Sequence, residues 1–79
     1  MKNEVHKLRK SLKLTQEDLA KKVGVTRQTI ISIEQGKYIA SLPLALKISK
    51  VFGTSVENVF ILEEDKDEWI RFREAKKDY

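Results

Sequence analysis

The stretch from Leu14 to Lys37 reads LTQEDLAKKVGVTRQTIISIEQGK, and it decides the fold. Thr15 can cap the N-terminus of a helix, with Asp18 three residues later in the position of a capping box. Gly24 can take the left-handed backbone conformation that ends a helix, and Thr26 can cap the next one. The stretch therefore predicts two short helices joined by a tight turn.

The second of these helices has an apolar face and a polar face. Ile30 and Ile33 are spaced to pack against the first helix, where Leu19, Ala20 and Val23 share one side. The opposite face carries side chains that can hydrogen-bond to base edges or phosphates. They are Arg27, Gln28, Thr29 and Ser32.

Charge is distributed unevenly along the chain. Residues 1–50 contain eleven Lys and Arg against four Asp and Glu, a net charge of +7, whereas residues 51–79 contain five against eight, a net charge of −3. Because phosphate neutralisation and counterion release dominate nucleic-acid affinity, the basic half suits a polyanion. An ordinary solvated surface would explain the charge equally well, but its coincidence with the two-helix motif favours DNA.

These residues resemble the helix-turn-helix of the Xre/Cro type, the phage-repressor-like family of small bacterial and archaeal regulators. The resemblance continues through IEQGK at residues 33–37 and ALKISKVFGTSVENVF at residues 45–60. It covers about residues 5–62 and implies an all-α fold of five helices that binds double-stranded DNA. We therefore expect a DNA-binding domain at residues 1–62 and a C-terminal extension at residues 63–79.

Three further helices are expected outside the motif. Val5, Leu8 and Leu12 repeat at intervals of three and four residues, which predicts a first helix over residues 3–11. A fourth helix should begin at Ser41, hold Pro43 in its first turn and end at residue 53. Its expected buried residues are Leu44, Ile48, Val51 and Phe52; a short fifth helix, capped by Thr54 or Ser55, should bury Val56, Val59 and Phe60.

The segment after the fifth helix is predicted less directly. Residues 60–62 form an apolar run that suits either a short strand or the end of the fifth helix. Residues 63–67 read as an acidic linker, and the following residues favour a helix over a strand. The large apolar residues here are candidates for a dimer interface: Phe60, Ile61, Leu62, Trp69, Ile70 and Phe72.

The resemblance implies where DNA would be contacted. The second motif helix would enter the major groove from Thr26 onward, and the first would lie across the backbone. The family's contacts match Gln16, Arg27, Gln28, Thr29 and Ser32, and Lys37 and Tyr38 follow where the family contacts phosphates. For these last two, a solvated loop is the alternative. Ile31 could pack on a thymine methyl group; otherwise it is part of the core or merely exposed.

Other charged residues suggest structure more than chemistry. Arg9 and Glu34 match a partly buried ion pair in the resembled family. His6 lacks neighbours at metal-ligand spacing and reads as a surface residue. No nucleophile–base pair is apparent, so we expect neither an enzyme nor a bound cofactor or metal. Without cysteines, an export signal or a long apolar run, the chain fits a cytoplasmic protein with no membrane segment.

Two functional classes fit these residues. The first is a dimeric transcriptional regulator, because one recognition helix contacts too few base pairs to stand out against genomic DNA. The second is an antitoxin or similar interaction module whose extension docks on a partner protein. In either case the extension could instead fold back over its own domain.

Overall fold

Five helices and two short strands make up the fold in the computed structural model, which describes residues 1–62. The helices are α1 (Val5–Ser11), α2 (Gln16–Val23), α3 (Arg27–Glu34), α4 (Leu42–Phe52) and α5 (Val56–Val59); the strands are β1 (Lys2–Asn3) and β2 (Phe60–Ile61). The expected five-helix fold is confirmed, with a small two-stranded sheet added to it.

The predicted caps of the motif are confirmed. The Thr15 hydroxyl accepts a hydrogen bond from the amide of Asp18, and the Asp18 carboxylate accepts one from the amide of Thr15, each at 3.0 Å. Thr15 lowers the pKa of the Asp18 carboxyl group, mainly through its backbone amide and to a smaller extent through its side chain. Gly24 ends α2 with φ at 75°, and the Thr26 hydroxyl accepts from the amide of Thr29 at 3.4 Å to begin α3. Local hydrogen bonds thereby fix the start of each of the two helices, and Gly24 fixes the end of α2.

The core draws its fully buried side chains from all five helices. They are Val5, Leu19, Ile30, Ile33, Ile48 and Val59. The prediction that Val51 and Phe52 are buried was wrong: both lie in the last turn of α4 and pack against the edge of the core with part of their surface exposed. Val56 and Phe60 are also only partly buried.

The N-terminal segment departs from the predicted first helix. Lys2 and Asn3 form a strand that pairs antiparallel with β2, with Asn3 opposite Phe60. The side-chain amide of Asn3 donates to the Ile33 carbonyl at 2.8 Å, and its oxygen accepts from the Val5 amide at 3.1 Å. Asn3 therefore bridges the start of α1 and the last turn of α3, which a residue inside α1 could not do.

The ends of α4 and α5 follow the prediction in part. Ser41 caps α4 by accepting from the amide of Leu44 at 3.4 Å, and Gly53 ends it in the left-handed conformation. Ser55 precedes α5 but makes no side-chain cap bond. The Thr54 hydroxyl instead accepts from the Asn58 side-chain amide at 2.9 Å. Because β2 follows α5 directly, the strand alternative for residues 60–61 is confirmed.

Candidate nucleic-acid interface

One face of α3 presents a continuous row of polar side chains. Arg27 and Gln28 are exposed in its first turn, and the Gln28 amide nitrogen lies 3.5 Å from the Ser32 hydroxyl one turn later. The hydroxyls of Thr26 and Thr29 are 3.1 Å apart on the adjoining edge. The structure therefore brings the side chains predicted for base contacts onto one surface, where each keeps donors or acceptors available.

The opposite face of α3 fixes the direction of this row. Ile30 and Ile33 are completely buried against the other helices. Ile31 is partly buried at the border between the faces and has some surface left for contact. Because a rotation of α3 about its axis would expose two large aliphatic side chains, the orientation of the polar row is set by the core.

Lys37 and Tyr38 lie immediately beyond α3. The amides of Lys37 and Tyr38 both donate to the Ser32 carbonyl, at 3.0 Å and 3.3 Å. This folds the chain back against the end of the helix, and both side chains remain exposed. Their placement at the rim of the polar face agrees with where the resemblance puts phosphate contacts.

Gln16 occupies the start of α2 but is not free to move. Its side-chain amide donates to Glu34 at 3.3 Å, and the residue is half buried. Glu34 also receives hydrogen bonds from Arg9 at 2.7 Å and 3.2 Å, so the predicted ion pair is confirmed. The Arg9 and Glu34 side chains are each 7% exposed. The ion pair thus joins α1 to the end of α3 and holds Gln16 between them.

His6 lies beside this ion pair. Its Nδ1 lies 3.2 Å from a Glu34 carboxylate oxygen and 3.2 Å from an Arg9 guanidinium nitrogen. The ring can therefore donate to the carboxylate when Nδ1 is protonated and accept from the guanidinium when it is not. The prediction of an exposed histidine is confirmed, since 62% of its side chain is accessible.

The environment of Glu34 has opposing effects on its ionisation. Burial alone would raise the pKa of the carboxyl group, but hydrogen bonds from Arg9, His6 and Gln16 outweigh it and leave the pKa lowered. Glu34 is consequently ionised at neutral pH and compensates the buried guanidinium. The Arg9 guanidinium also donates to the Leu14 carbonyl at 2.8 Å, which ties the end of α1 into the same network.

A basic groove that the sequence did not predict lies next to the polar face. This open groove of about 600 Å³ runs between the end of α1 and the start of α2, and it reaches Arg27 at the start of α3. Lys10 and Lys13 line it, and both are exposed. In the sequence they contribute only to the total charge, because nothing local shows that the turn after α1 brings them beside Gln16.

Large apolar side chains are exposed at several places within residues 1–62, and two of these places bear on the question of a dimer interface. Leu62 is 73% exposed at the end of β2, whereas Phe60 and Ile61 are partly buried. A second group, which was not predicted, contains Leu42 and Leu46, 66% and 49% exposed and one turn apart on α4. The other predicted interface residues, Trp69, Ile70 and Phe72, lie outside the described residues.

Comparison with known proteins assigns this architecture to a family. Residues 5–59 match the family model described as Helix-turn-helix. An uncharacterized HTH-type transcriptional regulator of Methanocaldococcus jannaschii is 59% identical over 66 residues, which cover 84% of this chain and all of the relative. The uncharacterized HTH-type transcriptional regulator YgzD of Bacillus subtilis is 54% identical over 65 residues, which cover 82% of this chain and 98% of the relative. One from Archaeoglobus fulgidus is 46% identical over 66 residues, covering 84% and 93%.

The chain belongs to the Xre/Cro-type helix-turn-helix family of transcriptional regulators. Its α2 and α3 are the two helices of the motif. No helix within residues 1–62 is long and apolar enough to cross a membrane.

Proposed function

We propose that the protein is a sequence-specific, dimeric transcriptional repressor that acts by occupying an operator. The observation that carries the proposal is the polar face of α3, which is exposed on one side and locked by Ile30 and Ile33 on the other. A repressor of this kind needs no catalytic group or cofactor, because bound protein physically blocks the promoter. It would act in the cytoplasm, together with the chromosome.

Each residue of the polar face has a chemistry suited to base recognition. Arg27 can bond bidentately to guanine and Gln28 to adenine, each worth roughly 1–3 kcal/mol of discrimination. Thr26, Thr29 and Ser32 can donate to or accept from a base edge or a phosphate. Because these residues share one face, they can contact adjacent base pairs in a single major groove.

The phosphate contacts would flank this face on both sides. Gln16 stands at the start of α2, where the backbone N–H groups and the helix dipole favour an anion. Lys37 and Tyr38 stand beyond the end of α3. Contacts at the two sides would fix the angle at which α3 enters the groove, while carrying no sequence information themselves.

Two copies would supply the specificity that one recognition helix lacks. A twofold symmetric dimer would place its recognition helices about 34 Å apart on a pseudo-palindromic operator. We propose that the interface is built from Phe60, Ile61 and Leu62 together with Trp69, Ile70 and Phe72. Exposure of Leu62 supports this, and within residues 1–62 strand β2 pairs with β1 alone, so one of its edges has no strand beside it.

Selection of bound duplexes from a random library tests the DNA-binding proposal. The wild-type protein should enrich a twofold symmetric motif, and Gln28→Ala should blur one position in each half-site. Binding should be repeated at two salt concentrations, because sequence-independent binding to phosphates is strongly salt-sensitive. Weak, salt-sensitive binding without an enriched motif would refute the specific regulator.

The dimer interface needs a separate experiment. Light scattering should give a dimer mass for the wild type and a reduced mass for Trp69→Ala/Phe72→Ala. The matched control is Leu42→Ala/Leu46→Ala, which removes two large apolar side chains from the other exposed group. A reduced mass only in the control would place the interface on α4. Unchanged mass with lost thermal stability in Trp69→Ala/Phe72→Ala would show that the extension packs on its own domain.

A further inference from the structure

We propose that the groove between α1 and α2 binds a DNA backbone phosphate through Lys10 and Lys13, outside the helix-turn-helix itself. The proposal rests on the DNA-binding function argued above and extends it to a new part of the surface. It predicts that each protein copy covers more of the DNA backbone than the motif alone would reach, along the side of α1.

The groove is continuous with the proposed DNA surface. Gln16 and Arg27, which are assigned to that surface, also line the groove. DNA seated on α3 and on the start of α2 therefore has its backbone at the mouth of the groove. A phosphate bound in the groove would lie further along the same DNA strand than the phosphate that Gln16 contacts.

The charge of the groove suits a phosphate. Its lining includes four cationic side chains, those of Arg9, Lys10, Lys13 and Arg27, against the single carboxylate of Glu17. Within residues 1–62 the ion pairs are those that Glu34 makes with Arg9 and His6, so neither lysine takes part in one. Arg9 is already compensated and Arg27 is assigned to the polar face of α3, which leaves the two exposed lysines as the further groups available to a phosphate.

Lys13 lines the groove and has an uncommon backbone conformation. Its φ is 58°, and within residues 1–62 it is the one non-glycine residue with positive φ. The Lys13 amide donates to the Lys10 carbonyl at 3.0 Å, and the Leu14 amide donates to the Arg9 carbonyl at 3.1 Å, so the turn closes tightly after α1. Glycine would take this conformation with less strain.

This conformation allows charge to be removed without damage to the fold. Lys13→Gly and Lys13→Asn both suit a left-handed backbone, so both should keep or raise the melting temperature of the domain. Lys10→Gln removes the neighbouring charge from an exposed helical position. The matched control is Lys47→Gln, which removes the same charge from an exposed position of α4 outside the groove.

The experiment measures binding to the selected operator over a range of salt concentrations. Each lost phosphate contact should reduce the slope of log affinity against log salt by about 0.9, which is roughly a five- to tenfold weaker affinity at about 0.1 M salt. Lys13→Gly, Lys13→Asn and Lys10→Gln should show this reduction equally on operator and on non-specific duplex. Lys47→Gln should leave the slope within error of the wild type.

Two results would overturn the groove proposal while leaving the proposed function intact. One is a wild-type slope in both Lys13 variants, and the other is an equal loss of affinity in Lys47→Gln and Lys10→Gln, which would indicate only long-range attraction. Ethylation interference should agree. Ethylation of one backbone phosphate at the outer edge of each half-site should weaken binding of the wild type but no longer weaken binding of Lys13→Gly. If the wild type selects no operator, the failure lies in the proposed function instead.

Discussion

The eight residues of α3 form two faces, and these faces have different surroundings. On the inner face, Ile30 and Ile33 have no accessible surface and cannot be changed without opening the core. On the outer face, Arg27 and Gln28 are exposed and contribute little to folding. If the outer face reads DNA as proposed, stability and specificity are separated within one helix, because the outer side chains can change while the inner ones hold the direction of α3.

Glu34 is the residue of α3 that belongs to both faces. It is the last residue of α3, yet its carboxylate compensates Arg9 in the interior and holds Gln16 at the rim of the proposed DNA surface. A change at this position would therefore act on stability and on DNA contact together, whereas changes at Arg27 or Gln28 should act on DNA contact alone.

Arg9→Met should produce the largest loss of stability. It leaves the Glu34 carboxylate buried without its main partner, which should lower the free energy of unfolding by about 3–5 kcal/mol. Urea denaturation measures this loss. The double variant Arg9→Met/Glu34→Leu removes both charges and should recover most of it. Equal stability of the single and double variants would show that the carboxylate reaches water and that the pair is not an interior one.

Thr26 belongs to both regions, because it caps α3 and lies on its outer face. Thr26→Ala should lower the free energy of unfolding by about 1 kcal/mol through loss of the cap. Thr26→Asp keeps a cap, so its stability should stay within about 0.5 kcal/mol of the wild type, but its carboxylate would face DNA phosphates and weaken operator binding by about tenfold or more. Undiminished binding by Thr26→Asp would remove Thr26 from the DNA surface.

Acid should remove a contribution of Glu34 to the free energy of unfolding that is smaller than the losses expected above. Its pKa in the folded state is lowered from about 4.5, so its contribution to stability is complete above that pH and is lost as the pH falls through the folded-state value. The free energy of unfolding should thus decrease on acidification below about pH 4.5. The free energy of unfolding of Arg9→Met/Glu34→Leu should decrease less steeply with acid. Part of the decrease that remains should come from the Asp18 carboxyl group, whose pKa is also lowered. Equal slopes would argue against the hydrogen bonds assigned to Glu34.

Much of the motif could be predicted because its signals are local. The capping box of Thr15 and Asp18, the left-handed Gly24 and the cap at Thr26 each depend on residues within a few positions of one another. Helical periodicity then separates buried from exposed residues on α2 and α3. The resemblance added the Arg9–Glu34 pair, whose partners are 25 residues apart and could not be matched by periodicity.

Sequence by itself determined the helices of the motif, their caps and the polar face of α3, because these follow from short-range hydrogen bonds and side-chain spacing. Tertiary structure alone decided that Asn3 joins a strand opposite Phe60, and that Lys10 and Lys13 meet Gln16 and Arg27 around one groove. These arrangements depend on where distant segments come to lie in space. That position is set by the shared core of all five helices, and local propensity does not encode it.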